Sequence, residues 1–151
     1  MPAPRFVADV MVGKLARWLR ILGYDVLYNN RFEDDEILRI AGTEDRVILT
    51  RDVELHSRGG SRSLLVHDDD YESQVRQVIS ALGLTDFTLF SRCAECNTPL
   101  IDTDREAVFL KVPPYVYLTQ EHFSICPACD RVYWRGTHVE GIAAKMRKWV
   151  E

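Results

Sequence analysis

The chain has no apolar run approaching the roughly 18 to 20 residues that a membrane-spanning helix requires. Its opening, Met1 to Arg5, leads into a short apolar run that stops at Asp9, without the longer apolar segment and cleavage site of a secretory leader. A soluble cytoplasmic protein with no membrane partner is expected. There is no glycine-rich phosphate loop and no dinucleotide-binding fingerprint. No nucleophile-elbow motif supports a Ser/His/Asp triad. Excess basic charge is missing too: 19 Lys and Arg face 23 Asp and Glu, for a net charge of −4. That balance argues against nucleic-acid binding through a basic surface alone. Neither an internal repeat nor a low-complexity segment is present.

What the 151 residues do contain is enough apolar material, 46%, for one ordinary domain or two small ones. Charge is uneven. Residues 1–90 carry 15 acids against 11 basic residues, and residues 91–151 carry eight of each. The surplus acid falls in clusters, which fits either solvated faces or carboxylates gathered by a metal.

Residues 1–90 alternate short β-like runs with helical periods, the pattern of a parallel α/β sheet. Strands are predicted at Arg5–Asp9, Asp25–Tyr28, Val47–Thr50 and Ser63–Val66. Leu15, Trp18, Leu19 and Leu22 recur at helical spacing, and Gly23 suits the stop of that helix. Lys14, Arg17 and Arg20 are assigned to its other side. Further helices are predicted over Glu33–Ala41 and Tyr71–Leu82, with a short one after Asp52 and a turn at Gly59–Ser61. The pattern changes near Leu84–Arg92, so a second unit is set at residues 91–151. There, Tyr115–Leu118 and Arg131–Trp134 read as β-like runs. The last helix opens on a capping box, Thr137 with Glu140, and carries Ile142, Met146, Trp149 and Val150 as its apolar stripe.

All four cysteines fall in two pairs, Cys93-Ala94-Glu95-Cys96 and Cys126-Pro127-Ala128-Cys129. A two-residue gap lets one tight turn aim two thiolates at one ion, and two such turns complete a tetrahedral zinc site. Asn97 and Asp130 follow as turn residues. Redox pairs or disulfides are the alternatives, which a cytosolic setting disfavours. Four thiolates leave no open position for water, so this zinc is expected to be structural.

Chemistry is expected in residues 1–90. In an open parallel sheet, ligands bind beyond the C-terminal ends of the strands. Asp9 ends the first strand, Asp34 and Asp35 open the helix after the second, Asp52 follows the third, and Asp68, Asp69 and Asp70 follow the fourth. Hard carboxylate oxygens suit Mg²⁺ or Mn²⁺, which assist phosphodiester cleavage. Spacing alone leaves the alternatives open: Asp34, Asp35 and Asp52 as helix caps, Asp68–Asp70 as a solvated loop. His56, His67 and His122 read as surface or packing residues.

Phe6 through Asp25 resembles the opening of the Mut-7 C-terminal ribonuclease domain. Asp35–Leu38, Ile48–Asp52, Arg92-Cys93 with Cys96-Asn97, and Val132–His138 extend that resemblance over nearly the whole chain in order. The resemblance implies a PIN-like three-layer α/β/α nuclease domain with a C-terminal zinc ribbon, and metal-dependent ribonuclease activity on RNA. Carried over position by position, it implies Asp9, Asp35 and Asp52 as ligands of catalytic Mg²⁺ or Mn²⁺, assisted by Glu54, with Asp34 able to stand in for Asp35. It also turns Lys14, Arg17, Arg20 and Arg51 into candidates for RNA phosphates. Trp134 and His138 are expected either to pack the ribbon against the nuclease unit or to stack a base. A non-catalytic RNA- or protein-binding adaptor on a degenerate nuclease fold is the alternative, a toxin-like nuclease with a partner antitoxin is a third reading, and any protein partner is left open.

Overall fold

The computed structural model describes residues 3–150, apart from the side chains of Thr137 and His138. The predicted cap at Thr137 and the role weighed for His138 therefore lie outside the described residues.

Four short parallel strands form one sheet: β1 (Phe6–Ala8), β2 (Val26–Tyr28), β3 (Val47–Thr50) and β4 (Ser63–Leu65), in the order β2-β1-β3-β4. Side chains alternate across a strand, and the sheet uses this to feed two cores. Phe6 and Ala8 point to one side, where α1 (Gly13–Ile21) and α4 (Tyr71–Leu82) pack through Leu15, Leu19, Val75 and Val78. Val7 and Ile48 point to the other, where α2 (Asp34–Glu44) and α3 (Val53–Gly59) pack through Ile37, Ile40 and Leu55. The result is the expected α/β/α sandwich. Gly23 ends α1 in a left-handed turn (φ 106°), and a Cβ there would meet the Thr88 carbonyl oxygen at 2.7 Å.

A second sheet is antiparallel: β5 (Ile101–Thr103), β6 (Phe123–Ile125) and β7 (Val132–Trp134). Its apolar side covers a small core of Val108, Val112 and Phe123. The Tyr115–Leu118 run is helical, not extended, and belongs to α5 (Pro114–Thr119). Proline at its first position presets the helical φ, and the Pro113 carbonyl accepts the Tyr117 N–H at 3.0 Å. Tyr115 and Leu118 are then left exposed while Val116 and Tyr117 pack inward.

The final helix, α6 (Thr137–Val150), returns to the first unit. Trp149 is buried in the α1/α4 core and sets its ring edge-on to Trp18, 5.5 Å between centroids. Met146 packs beside it, but Val150 is exposed and does not belong to the stripe. Among the described residues no helix is long and apolar enough to cross a membrane.

Candidate metal centre and carboxylate site

The two Cys-x-x-Cys turns are built alike. Cys93 N–H donates to the Thr98 carbonyl and Cys93 C=O accepts from Asn97, both at 2.9 Å. Cys126 N–H donates to Arg131 and Cys126 C=O accepts from Asp130, again at 2.9 Å. Asn97 and Asp130 take the left-handed conformation (φ 70° and 63°) that closes each turn. Consequently the four sulfurs lie within 4.8 Å of one another, with Cys93–Cys129 at 3.7 Å and Cys96–Cys126 at 3.2 Å. Tetrahedral Zn–S bonds of about 2.3 Å place sulfurs roughly 3.8 Å apart, so the donor set fits zinc. A disulfide needs about 2.0 Å.

The cysteine turn is bound tightly to the parallel sheet. Arg20 is only 5% exposed. Its Nε donates to the Val26 carbonyl (2.9 Å) and its Nη1 to the carbonyls of Ala94 and Glu95 (3.1 Å each). This corrects the expectation that Arg20 lies on an exposed basic face: it is buried, with Nε and Nη1 both spent on backbone oxygens. Asn97 adds a second tie, accepting the Val26 N–H at 2.9 Å and donating to Asp25 at 2.7 Å. Burial alone would raise the Asp25 carboxyl, but the Arg46 guanidinium and the Asn97 amide outweigh it and hold it below its ordinary value. Arg46, itself buried, meets Asp25 at 2.8 Å and Glu44 at 2.9 Å.

The acids gather at the other end of the strands. The chain leaves β1 toward β2 and leaves β3 toward β4, so the direction of winding reverses between β1 and β3. Such a switch point opens a crevice at the strands' C-terminal ends. Asp9 sits at the end of β1 and Asp52 just past the end of β3. Asp9 is 5% exposed; its Oδ1 accepts the Val10 N–H at 2.7 Å and its Oδ2 accepts the hydroxyl of fully buried Thr50 at 2.8 Å. The same Thr50 oxygen accepts the Asp52 N–H at 2.9 Å. Asp52 caps α3 with one oxygen, Oδ1, which accepts from Glu54 N (2.8 Å) and Leu55 N (3.1 Å).

Asp34 and Asp35 part ways at the start of α2. Asp34 is half-buried, and its carboxyl is raised, first by burial and then by the charges of Asp9 and Asp52. Asp35 is exposed and pairs with Arg58 Nη2 at 2.5 Å. One residue along a helix is a turn of about 100°, which sends one acid toward the crevice and the other toward α3. Glu54 is exposed in the first turn of α3. Among the described residues no three carboxylates bring their oxygens as close together as the four sulfurs. Asp68 and Asp69 are exposed, and Asp70 caps α4 by accepting the Ser73 N–H at 2.9 Å.

A family model described as Mut7-C RNAse domain matches residues 4–146, spanning both the sheet and the cysteine unit. The chain belongs to the Mut7-C RNAse domain family. No curated protein and no solved structure matches it significantly.

The remaining basic residues of this Mut7-C domain are dispersed. Lys14 is exposed and stands over the Tyr71 ring, 4.5 Å from its centroid. Arg17 ion-pairs with Glu95. Arg51, between Thr50 and Asp52, keeps Nε buried with no hydrogen-bond partner among the described residues. Gly13 opens α1 directly under Tyr28, where a Cβ would lie 2.7 Å from the phenol oxygen. His56 is a packing residue, its Nδ1 2.5 Å from Ser63 Oγ, while His67 is exposed. Trp134 packs beside the small Phe123 core.

The sequence did not single out Thr50 or Arg58, and it marked Asn97 only as a turn residue, not as a tie to the sheet. Thr50 had a signal, a hydroxyl ending a strand two residues before an acid. The partners of Arg58 and Asn97 lie 23 and 72 residues away in the chain, and only the fold brings them together.

Proposed function

We propose that this Mut7-C domain is a metal-dependent ribonuclease of the cytoplasm, acting in RNA processing or decay, with its carboxylate crevice as the active site. The observation that carries this reading is the Asp9–Thr50–Asp52 linkage at the switch point of the sheet. It holds two carboxylates of adjacent strands in fixed positions without consuming them. Each oxygen of Asp9 accepts one hydrogen bond and keeps a lone pair. Asp52 spends Oδ1 on its helix cap, and Oδ2 has no partner among the described residues.

Asp9, Asp52 and an acid of the α2 N-terminus, Asp34 or Asp35, would hold Mg²⁺ or Mn²⁺, with Glu54 at the rim. Such an ion supplies Lewis acidity and charge neutralisation to a phosphodiester. The raised carboxyl of Asp34 fits this arrangement: burial raises it most, and the charges of Asp9 and Asp52 add a part that a cation would relieve. Arg51, which precedes Asp52 directly in the chain, is the candidate for a phosphate oxygen at the crevice. Lys14 supplies further positive charge near the start of α1, while Arg17 shares its charge with Glu95. Four thiolates on zinc would organise the ribbon and take no part in turnover.

The test is cleavage of single-stranded RNA by the full chain with Mg²⁺ or Mn²⁺. Asp9→Asn is expected to abolish cleavage while leaving the fold and zinc content intact. Full activity of a folded Asp9→Asn protein overturns the assignment. RNA binding by the wild-type chain with no cleavage under either metal makes it an adaptor instead.

A further inference from the structure

A second cleft lies at the far end of α1 from the carboxylates. It encloses about 630 Å³ between the β5-β6-β7 sheet and the segment joining the two units. Its floor follows from strand alternation. Opposed residues of an antiparallel pair share a face, so the row Asp102, Ser124, Tyr133 turns away from the small Phe123 core. His122 and Arg135 flank this row on the same face. The register that pairs Phe123 with Trp134 sets them opposite each other at the open end of β6 and β7. Both are exposed, and neither has an ion-pair partner among the described residues.

The wall holds the second observation. Phe90 lines the cleft in the left-handed conformation (φ 60°), fixed by its N–H to the Ile21 carbonyl at 3.0 Å. A bulky residue takes that conformation at a cost that glycine or asparagine would avoid. Yet Phe90 belongs to none of the three apolar clusters, so core packing does not account for its ring.

We infer that this cleft is a binding subsite for one nucleotide of single-stranded RNA, with its phosphate on His122 and Arg135 and its base against Phe90. This rests on the reading of the chain as an RNA enzyme and adds a station remote from the cut. The volume suits a nucleotide, within the range of about 300 to 1,000 Å³ typical of small-ligand pockets. Aromatic rings beside cationic groups are how single strands are held without sequence preference. Asp102 on the floor accepts from a ribose hydroxyl or a base amino group, and it keeps the cleft from being a generic anion trap. α1 spans about 13 Å, and the cleft wall hangs from its last residues while Asp9 precedes its first. One nucleotide therefore cannot serve both stations; the cleft holds a different nucleotide from the one being cut.

The experiment measures binding of a labelled single-stranded RNA heptamer by fluorescence anisotropy, using the full-length zinc-loaded chain carrying Asp9→Asn. Arg135→Glu and Phe90→Asn are each expected to weaken binding at least fivefold. Phe90→Asn should at the same time leave the melting temperature unchanged or higher, because asparagine tolerates the left-handed turn. Unchanged heptamer affinity in both folded variants overturns the subsite, whether or not the wild-type chain cleaves RNA. Cleavage failing under Mg²⁺ and Mn²⁺ while both variants lose affinity overturns the nuclease reading and leaves the subsite standing.

Discussion

The hydroxyl of Thr50 donates to Asp9 Oδ2 at 2.8 Å, and its oxygen accepts the Asp52 N–H at 2.9 Å, so one buried side chain locks the acids of two adjacent strands. Thr50→Val keeps the shape and removes both bonds. Leaving a buried carboxylate oxygen and a buried N–H unpaired costs about 1–3 kcal/mol. Urea denaturation should show that loss, and RNA cleavage should fall with it. Thr50→Ser, which restores the hydroxyl, should recover most of both.

Asp34 and Asp35 are separable. Asp34 faces the charges of Asp9 and Asp52, whereas Asp35 faces Arg58. Asp34→Asn is expected to reduce cleavage more than Asp35→Asn. It should also stabilise the metal-free protein at neutral pH. The sign follows from the raised carboxyl: the folded state is favoured while Asp34 is protonated and loses that advantage as pH rises through the raised value. Thermal melts should therefore show the benefit of Asp34→Asn shrinking as pH falls toward the ordinary carboxylate range. Added Mn²⁺ should stabilise the wild type more than the variant.

Asn97 joins the cysteine turn to the sheet by two side-chain bonds, to Val26 N–H and to Asp25. Asn97→Gly tolerates the left-handed backbone and removes only the side chain. The expected loss is about 1–3 kcal/mol from unpaired buried groups. Because Asn97 helps hold the Asp25 carboxyl below its ordinary value, stability in the wild type should be lost as pH falls through that lowered value. The variant should show a smaller loss over the same acid range in pH-dependent denaturation.

One zinc per chain is expected, released when the thiols are modified. Cys126→Ser should deplete the metal and loosen β5 to β7, read as rapid amide exchange there. The β1–β4 sheet, with its own two cores, should retain protection.

Much of this architecture was legible from periodicity. Tyr71–Leu82 and Val47–Thr50 have the bounds that their apolar spacing implies. The two cysteine turns were equally plain, because spacing, turn residue and ligand chemistry agree. Other features depend on context that no local pattern carries. Tyr115–Leu118 is composed of strand-favouring aromatic and aliphatic residues, but the prolines before it start a helix. Arg20 shares helical spacing with exposed Lys14 and Arg17, yet the cysteine turn folds over its end of α1 and buries it. Choosing between Asp34 and Asp35 needs the rotational phase of α2, which adjacent acids cannot reveal.

The most direct measurement is the anomalous difference map of a crystal soaked in Mn²⁺. The account predicts a peak between Asp9, Asp52 and an acid of the α2 N-terminus, separate from the zinc among the four cysteines. A saturating soak that leaves that crevice without a peak and its carboxylates unmoved, in a protein that cleaves RNA, would contradict it.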